Sequence, residues 1–167
     1  MDEGIVSYKG YHQDSITIRS KPNLTGALYY CGADPFGYLF NLRFRIGRRY
    51  RMKAIVLELM TPLYHSWRHV YTDNAYTSLE LARELLLQDI KITGTAKVNA
   101  AKKLFENYSH PQVKRGSWFS ARCGGIVACT YSDVHQNNTA HLVNFITTGH
   151  SAIVTDAHRP WVSHCYN

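Results

Sequence analysis

Apolar and polar positions alternate in short runs along most of the chain, and two stretches switch to a helical period. The run DEGIVSYK (residues 2–9) predicts a short strand centred on Ile5 and Val6, and residues 10–26, with Gly10, Pro22 and Gly26, read mostly as loop. ALYYCGAD and YLFNLRFRI flank Pro35-Phe36-Gly37, which predicts a hairpin. In its second arm Leu39, Asn41, Arg43 and Arg45 alternate with Phe40, Leu42, Phe44 and Ile46, and Leu39 falls on the polar side. Residues 48–66 carry Ile55, Leu57, Leu59, Met60, Leu63 and Tyr64 at roughly helical spacing, a helix that Pro62 should kink or end. A short strand follows at His69-Val70-Tyr71-Thr72 and runs into Asp73. Thr77 and Glu80 then have the spacing of a capping box, ahead of a helix whose apolar face is Leu79, Leu81, Ala82, Leu85, Leu86 and Leu87. Residues 90–96 read as one more strand, carrying Gly94-Thr95.

After Val98 the pattern changes. Residues 99–115 are polar and lysine-bearing, and residues 116–149 read as an all-β unit: GSWFSARC, GIVACTYSD and HLVNFITTG, separated by Gly124-Gly125 and by residues 133–139. Hairpin, helix, strand, helix, strand is the order of an α/β layer fold. The later β-rich segment reads as an insertion or small subdomain. With 45% hydrophobic and 19% charged residues in a chain of 167, a packed core is possible and disorder over most of the length is excluded. No apolar run is long enough to span a bilayer, and the acidic, polar start Met1-Asp2-Glu3-Gly4 is not that of a signal peptide. A reducing compartment is therefore expected. Cys31, Cys123, Cys129 and Cys165 form no CxxC pair, so they read as free thiols rather than zinc ligands. A net charge of +7 favours a polyanionic partner, nucleic acid first.

Two acidic residues stand out by context. Asp73 closes a strand and precedes a helix, at the kind of strand end where sites gather in α/β folds; Asp2 opens the first strand and does not fit that rule. Two such carboxylates on neighbouring strands could hold a pair of Mg²⁺ ions for phosphoryl displacement. The bland reading makes Asp73 a turn residue and Asp2 a terminal one. His12, His65, His69, His110 and His150 read as surface or packing residues, and Trp67, Trp118 and Trp161 as core or interface anchors. Arg43, Arg45, Arg48, Arg49, Arg51 and Lys53 form a basic run, either a solvated face or a track for a DNA backbone.

The block VYTDNAYTSLELARELLLQDIKITGTAKVN (Val70 to Asn99) resembles the piggyBac-like DNA transposases, in which a strand ends in Asp-Asn, an aromatic residue and Thr/Ser before a Leu-rich helix. DEGIVSYKG resembles that family's first catalytic strand, and Lys21-Pro22, Gly26, Asp34, Gly37-Tyr38, Lys114-Arg115-Gly116 and Tyr166-Asn167 fall in the family's order. The resemblance implies a ribonuclease H-like α/β core with an inserted β-rich subdomain. The core would be residues 1–99, with 161–167 returning to it, and the insertion 100–160. It implies three catalytic aspartates that use Mg²⁺ or Mn²⁺ to cut and join DNA, with Asp2 and Asp73 as the first and second, both catalytic and metal-binding. Lys9, Arg43, Arg45, Lys97, Lys114 and Arg115 are the expected DNA contacts.

The family's third aspartate follows the Tyr-Asn pair, here Tyr166-Asn167, and Asp156 reads as a surface turn residue rather than a substitute. The expectation is therefore a fragment inactive by itself, binding metal only weakly. Its parent protein would act on transposon ends and target DNA in the nucleus, as a homodimer through other regions. Two family arginines are missing, at Lys9-Gly10-Tyr11 and at Thr95-Ala96-Lys97, which removes bidentate phosphate contacts. A domesticated, non-catalytic DNA- or protein-binding relative is the alternative.

Overall fold

The computed structural model describes residues 1–10, 12–46, 51–101, 116–134 and 140–150. It is a mixed α/β structure with two sheets and few helices, and it divides between Tyr64 and His65 into two compact units.

The first unit is built around one long strand. Strands β1 (Asp2–Ser7), β2 (Ser15–Thr17) and β4 (Leu39–Phe44) all pair antiparallel with β3 (Thr25–Ala33). The expected hairpin is β3–β4, closed by Asp34, whose Oδ1 accepts from the backbone N–H of Phe36 at 2.9 Å and of Tyr38 at 2.8 Å. Gly37 sits at φ +88° in this turn, a conformation that suits a residue without Cβ.

Gly32 pairs with Asn41 but Ala33 pairs with Leu39, so Phe40 is the extra residue of a bulge. The bulge accounts for Leu39 falling out of the alternation. The facing of β4 is the reverse of what its pattern implies. Asn41 Nδ2 donates to the Leu59 carbonyl at 3.0 Å and Arg43 pairs with Glu58, so the polar positions meet helix α1 (Met52–Met60). Leu42, Phe44 and Ile46 are left 38%, 45% and 65% exposed. Helix α1 buries Ile55, Val56, Leu59 and Met60, and it packs on β3 and β4. It ends where Pro62 requires, in a 3-10 turn at Thr61–Leu63; residues 48–50 of the expected helix lie outside the described residues.

The second unit holds β5 (His69–Thr72), α2 (Leu79–Leu87), β6 (Lys91–Thr95), β7 (Trp118–Cys123), β8 (Ile126–Val134) and β9 (Ala140–Thr147). Its sheet runs β5-β6-β9-β8-β7, with β5 and β6 parallel and the other pairs antiparallel. β5, α2 and β6 thus form a βαβ unit, and the β-rich segment joins the sheet through β9 on β6. Residues on both sides of position 99 thus contribute strands to one sheet. Gly124 and Gly125, at φ +55° and +82°, make the two-residue loop between β7 and β8 that positive φ at both positions allows. Helix α2 packs against β6, β8 and β9 and buries Leu81, Ala82 and Leu85. On the sheet, Val70, Ile92 and Ile146 are also buried.

Trp67 and Trp118 are 58% and 42% exposed, so of the two roles expected, core or interface anchor, neither fills the first; Trp161 lies outside the described residues. Cys31, Cys123 and Cys129 are free thiols, and burial pushes Cys129 up to about 12. Among the described residues no helix is long and apolar enough to cross a membrane.

Candidate functional site

Strand β5 ends at Thr72, and the chain leaves it at Asp73, which is exposed. The Asp73 carboxylate caps its own turn: Oδ1 accepts from the Ala75 N–H at 2.6 Å. The Asp73 carbonyl accepts from the amides of Tyr76 and Thr77, both at 3.2 Å, and lies 2.8 Å from Thr77 Oγ1. Oδ2 has no partner among the described residues.

The capping box expected at Thr77 is displaced by one residue. Ser78 is the N-cap of α2, its Oγ accepting from the Leu81 N–H at 3.1 Å. Thr77 is buried instead, and its hydroxyl serves the Asp73 turn. The sequence offers two adjacent hydroxyls that can both cap; serine is the better N-cap, and burial of Thr77 leaves Ser78 to do it.

Asp2 lies in the other unit, at the start of β1, and is likewise exposed. Its Oδ1 accepts from the Glu3 N–H at 2.7 Å, and its Oδ2 has no partner among the described residues. The β1 backbone is held by side chains from the loop before β3. Lys21 Nζ donates to the Glu3 carbonyl at 2.8 Å, and Asn23 Nδ2 to the Ile5 carbonyl at 3.2 Å. The Lys21-Pro22 pair in the sequence thus marks a tether for the strand that carries Asp2. Opposite Gly4, the ring of Tyr29 crosses so closely that a Cβ on Gly4 would overlap it.

The expected DNA contacts differ in availability. Lys9 and Lys97 are exposed. Arg45 is half-buried, near Tyr30, whose phenol burial raises above its ordinary value despite the guanidinium. Arg43 pairs with Glu58, which offsets its charge. Lys114 and Arg115 lie outside the described residues. Among the described residues no cluster of three or more His, Cys, Asp or Glu side chains is placed to hold a metal.

A histidine pair missed as a unit by the sequence reading occupies one face of the β5–β6 sheet. His69 Nε2 lies 2.8 Å from Thr93 Oγ1, which is 2.6 Å from Thr147 Oγ1. The His69 ring stacks on Tyr71 at 4.6 Å and lies 4.5 Å from the His150 ring, while Tyr71 Oη is 3.1 Å from His150 Nε2. The signal was the i, i+2 spacing of His69 and Tyr71 on one strand face. Burial first, then the positive potentials of His150 and Lys91, lowers His69 to about 4; burial and Lys91 also lower His150.

The unfolded chain therefore takes up a proton near pH 6.5 that the folded chain refuses until about pH 4. Stability is full above pH 6.5 and falls as pH drops through that window. Allowing for solvent screening of a half-covered ring, unfolding free energies from urea melts at pH 7 and pH 5 should differ by on the order of 1–2 kcal/mol from this source. His69→Gln should flatten that slope, and an unchanged slope would show that the ring does not carry it.

The sequence model described as Transposase IS4 matches residues 1–162. Among solved structures, the chain is similar to the cryo-EM structure of the piggyBac transposase synaptic complex with hairpin DNA, at 21% identity and a TM-score of 0.82. That match covers 99% of this chain and 36% of the piggyBac chain, so this chain spans about a third of its neighbour's length. At this identity the likeness is one of fold. No protein of curated function matches the sequence significantly.

Proposed function

The chain belongs to the Transposase IS4 family, and from that premise we propose that it is part of the catalytic domain of a piggyBac-like DNA transposase. Asp2 and Asp73 would be two of its metal-binding carboxylates. The observation that carries the reading is Asp73 itself, at the carboxyl end of the first strand of a parallel βαβ unit, with one carboxylate oxygen free of protein donors among the described residues. Asp2 keeps an oxygen free in the same way. These are hard oxygen donors of the kind Mg²⁺ and Mn²⁺ take. A bound pair of such ions would activate the attacking oxygen and stabilise the leaving one when a DNA strand is cut or joined.

The ribonuclease H-like reading of the core is supported by its order, an antiparallel sheet led by the strand of Asp2 and then a parallel βαβ unit led by the strand of Asp73. In the same reading residues 1–99 with 161–167 form that core. β7, β8 and β9 belong to an insertion over 100–160 that docks on β6. Lys9, Arg45 and Lys97, with Lys114 and Arg115, would lie along a DNA backbone in a nuclear protein that works as a homodimer on transposon ends and target DNA. Arg43 is the weakest of these contacts because Glu58 already holds it. That pairing, with the two missing arginines, is what favours the second reading, a domesticated relative that binds without cutting.

Manganese binding followed by electron paramagnetic resonance separates the two. Asp2→Asn and Asp73→Asn should each weaken Mn²⁺ binding about ten-fold, the loss expected when one carboxylate leaves a small oxygen site, with Mg²⁺ competing. Binding unchanged in both variants overturns the catalytic reading. Salt-dependent DNA binding by a chain that takes no Mn²⁺ supports the domesticated one.

A further inference from the structure

The turn that presents Asp73 rests on two buried hydroxyls. Thr72 and Thr77 are 1% and 3% exposed, and their Oγ1 atoms lie 2.8 Å apart. Thr77 Oγ1 also lies 2.8 Å from the Asp73 carbonyl. Each hydroxyl has one proton, so a Thr77 that donates to that carbonyl must accept from Thr72. The chain of donation then runs from Thr72 through Thr77 to Asp73.

Strand β6 makes room for it. Gly94 is the register partner of Thr72, and a Cβ on it would overlap Thr77 Oγ1 as well as the carbonyl and hydroxyl of Thr72. Val70, Ile92 and Ile146, which share this face of the sheet, are apolar and buried, so the two hydroxyls must satisfy each other and the turn. With its carbonyl meeting three donors and Oδ1 drawn to Ala75, the Asp73 residue has one free oxygen and little freedom in where it points.

We infer that Thr72, Thr77 and Gly94 form a positioning unit that fixes the Asp73 backbone and hence the direction of its free carboxylate oxygen. The consequence for metal rests on the transposase reading above; the positioning itself does not. Valine matches the shape of threonine without the hydroxyl, whereas serine keeps it. Thr77→Val should speed amide exchange at Ala75 about ten-fold while Leu85 in α2 stays as protected as in the parent chain, and should weaken Mn²⁺ binding several-fold. Thr77→Ser should return both to near parent values, and Thr72→Val, which removes the first donor, should repeat the Ala75 effect should Thr77→Val fail to fold.

Ala75 exchange unchanged in the valine variants, or serine behaving like valine, overturns the proposal. If Asp73→Asn leaves Mn²⁺ binding untouched, the metal reading fails, and Ala75 exchange still decides the positioning.

Discussion

Gly94→Ala should destabilise the second unit by about 3 kcal/mol, the upper end of what overpacking a dense core costs. The added methyl has no flexible neighbour to displace: it meets the Thr72 carbonyl and the Thr77 hydroxyl, one of them backbone and the other buried. Relief requires β5 and β6 to part or the Asp73 turn to lift, and either disturbs the parallel pairing of Thr72 with Gly94. Gly37→Ala is the control. Gly37 has open space around its Cβ position but sits at φ +88°, so alanine there should cost about 1 kcal/mol from backbone strain alone. Urea unfolding of both variants tests the difference. Equal costs would mean that the strand β6 backbone does not need its bare position.

Leu85→Ala should cost a similar amount, about 3 kcal/mol. Leu85 is fully buried with Leu81 and Ala82 on the face of α2 that packs on the sheet. Truncation removes its transfer free energy and leaves a cavity that a sheet on one side and a nine-residue helix on the other close only partly. For a chain of this size the melting temperature should fall by roughly 6–12 °C. Leu87, two positions on and 68% exposed, should tolerate alanine within about 0.5 kcal/mol. A Leu85 variant that melts with the parent chain would mean that α2 does not hold the sheet.

These two costs show where the chain's pattern is informative. The apolar spacing of α2 was readable because Leu81, Ala82 and Leu85 recur at a helical period and all point one way. The same reading counted Leu86 and Leu87 as core, although Leu87 is exposed, because a run of leucines is wider than the stripe one sheet can cover. Gly94 was visible only as a letter in a motif; its need for a bare position comes from Thr72, its partner across the parallel pair, and from Thr77, seventeen residues away in sequence and brought over it by the turn at Asp73.

Asp73 was placed at a strand end by its flanking apolar run and turn residues, and that is where it lies. Arg43 shows the opposite case. Its alternation implied a solvated or DNA-facing side chain, but helix α1 brings Glu58 to it, and no local pattern encodes which charge a later helix will present.

The sequence by itself determined the elements whose causes are local. Pro62 ends a helix because it lacks a donor. Gly124-Gly125 turns a hairpin because both residues accept positive φ. The Val70 to Asn99 block predicts strand, helix and strand because its periods change at Asp73 and Gln88. Tertiary structure alone decided the bulge at Phe40, the face that β4 turns to α1, the burial of Thr77 that leaves Ser78 as cap, the docking of β9 on β6, and the stack of His69 on Tyr71 and His150. Each of these depends on what a distant segment brings to the same place. Short-range sterics and hydrogen bonding are written into neighbouring residues, whereas pairing partners and buried faces are settled only when the whole chain packs.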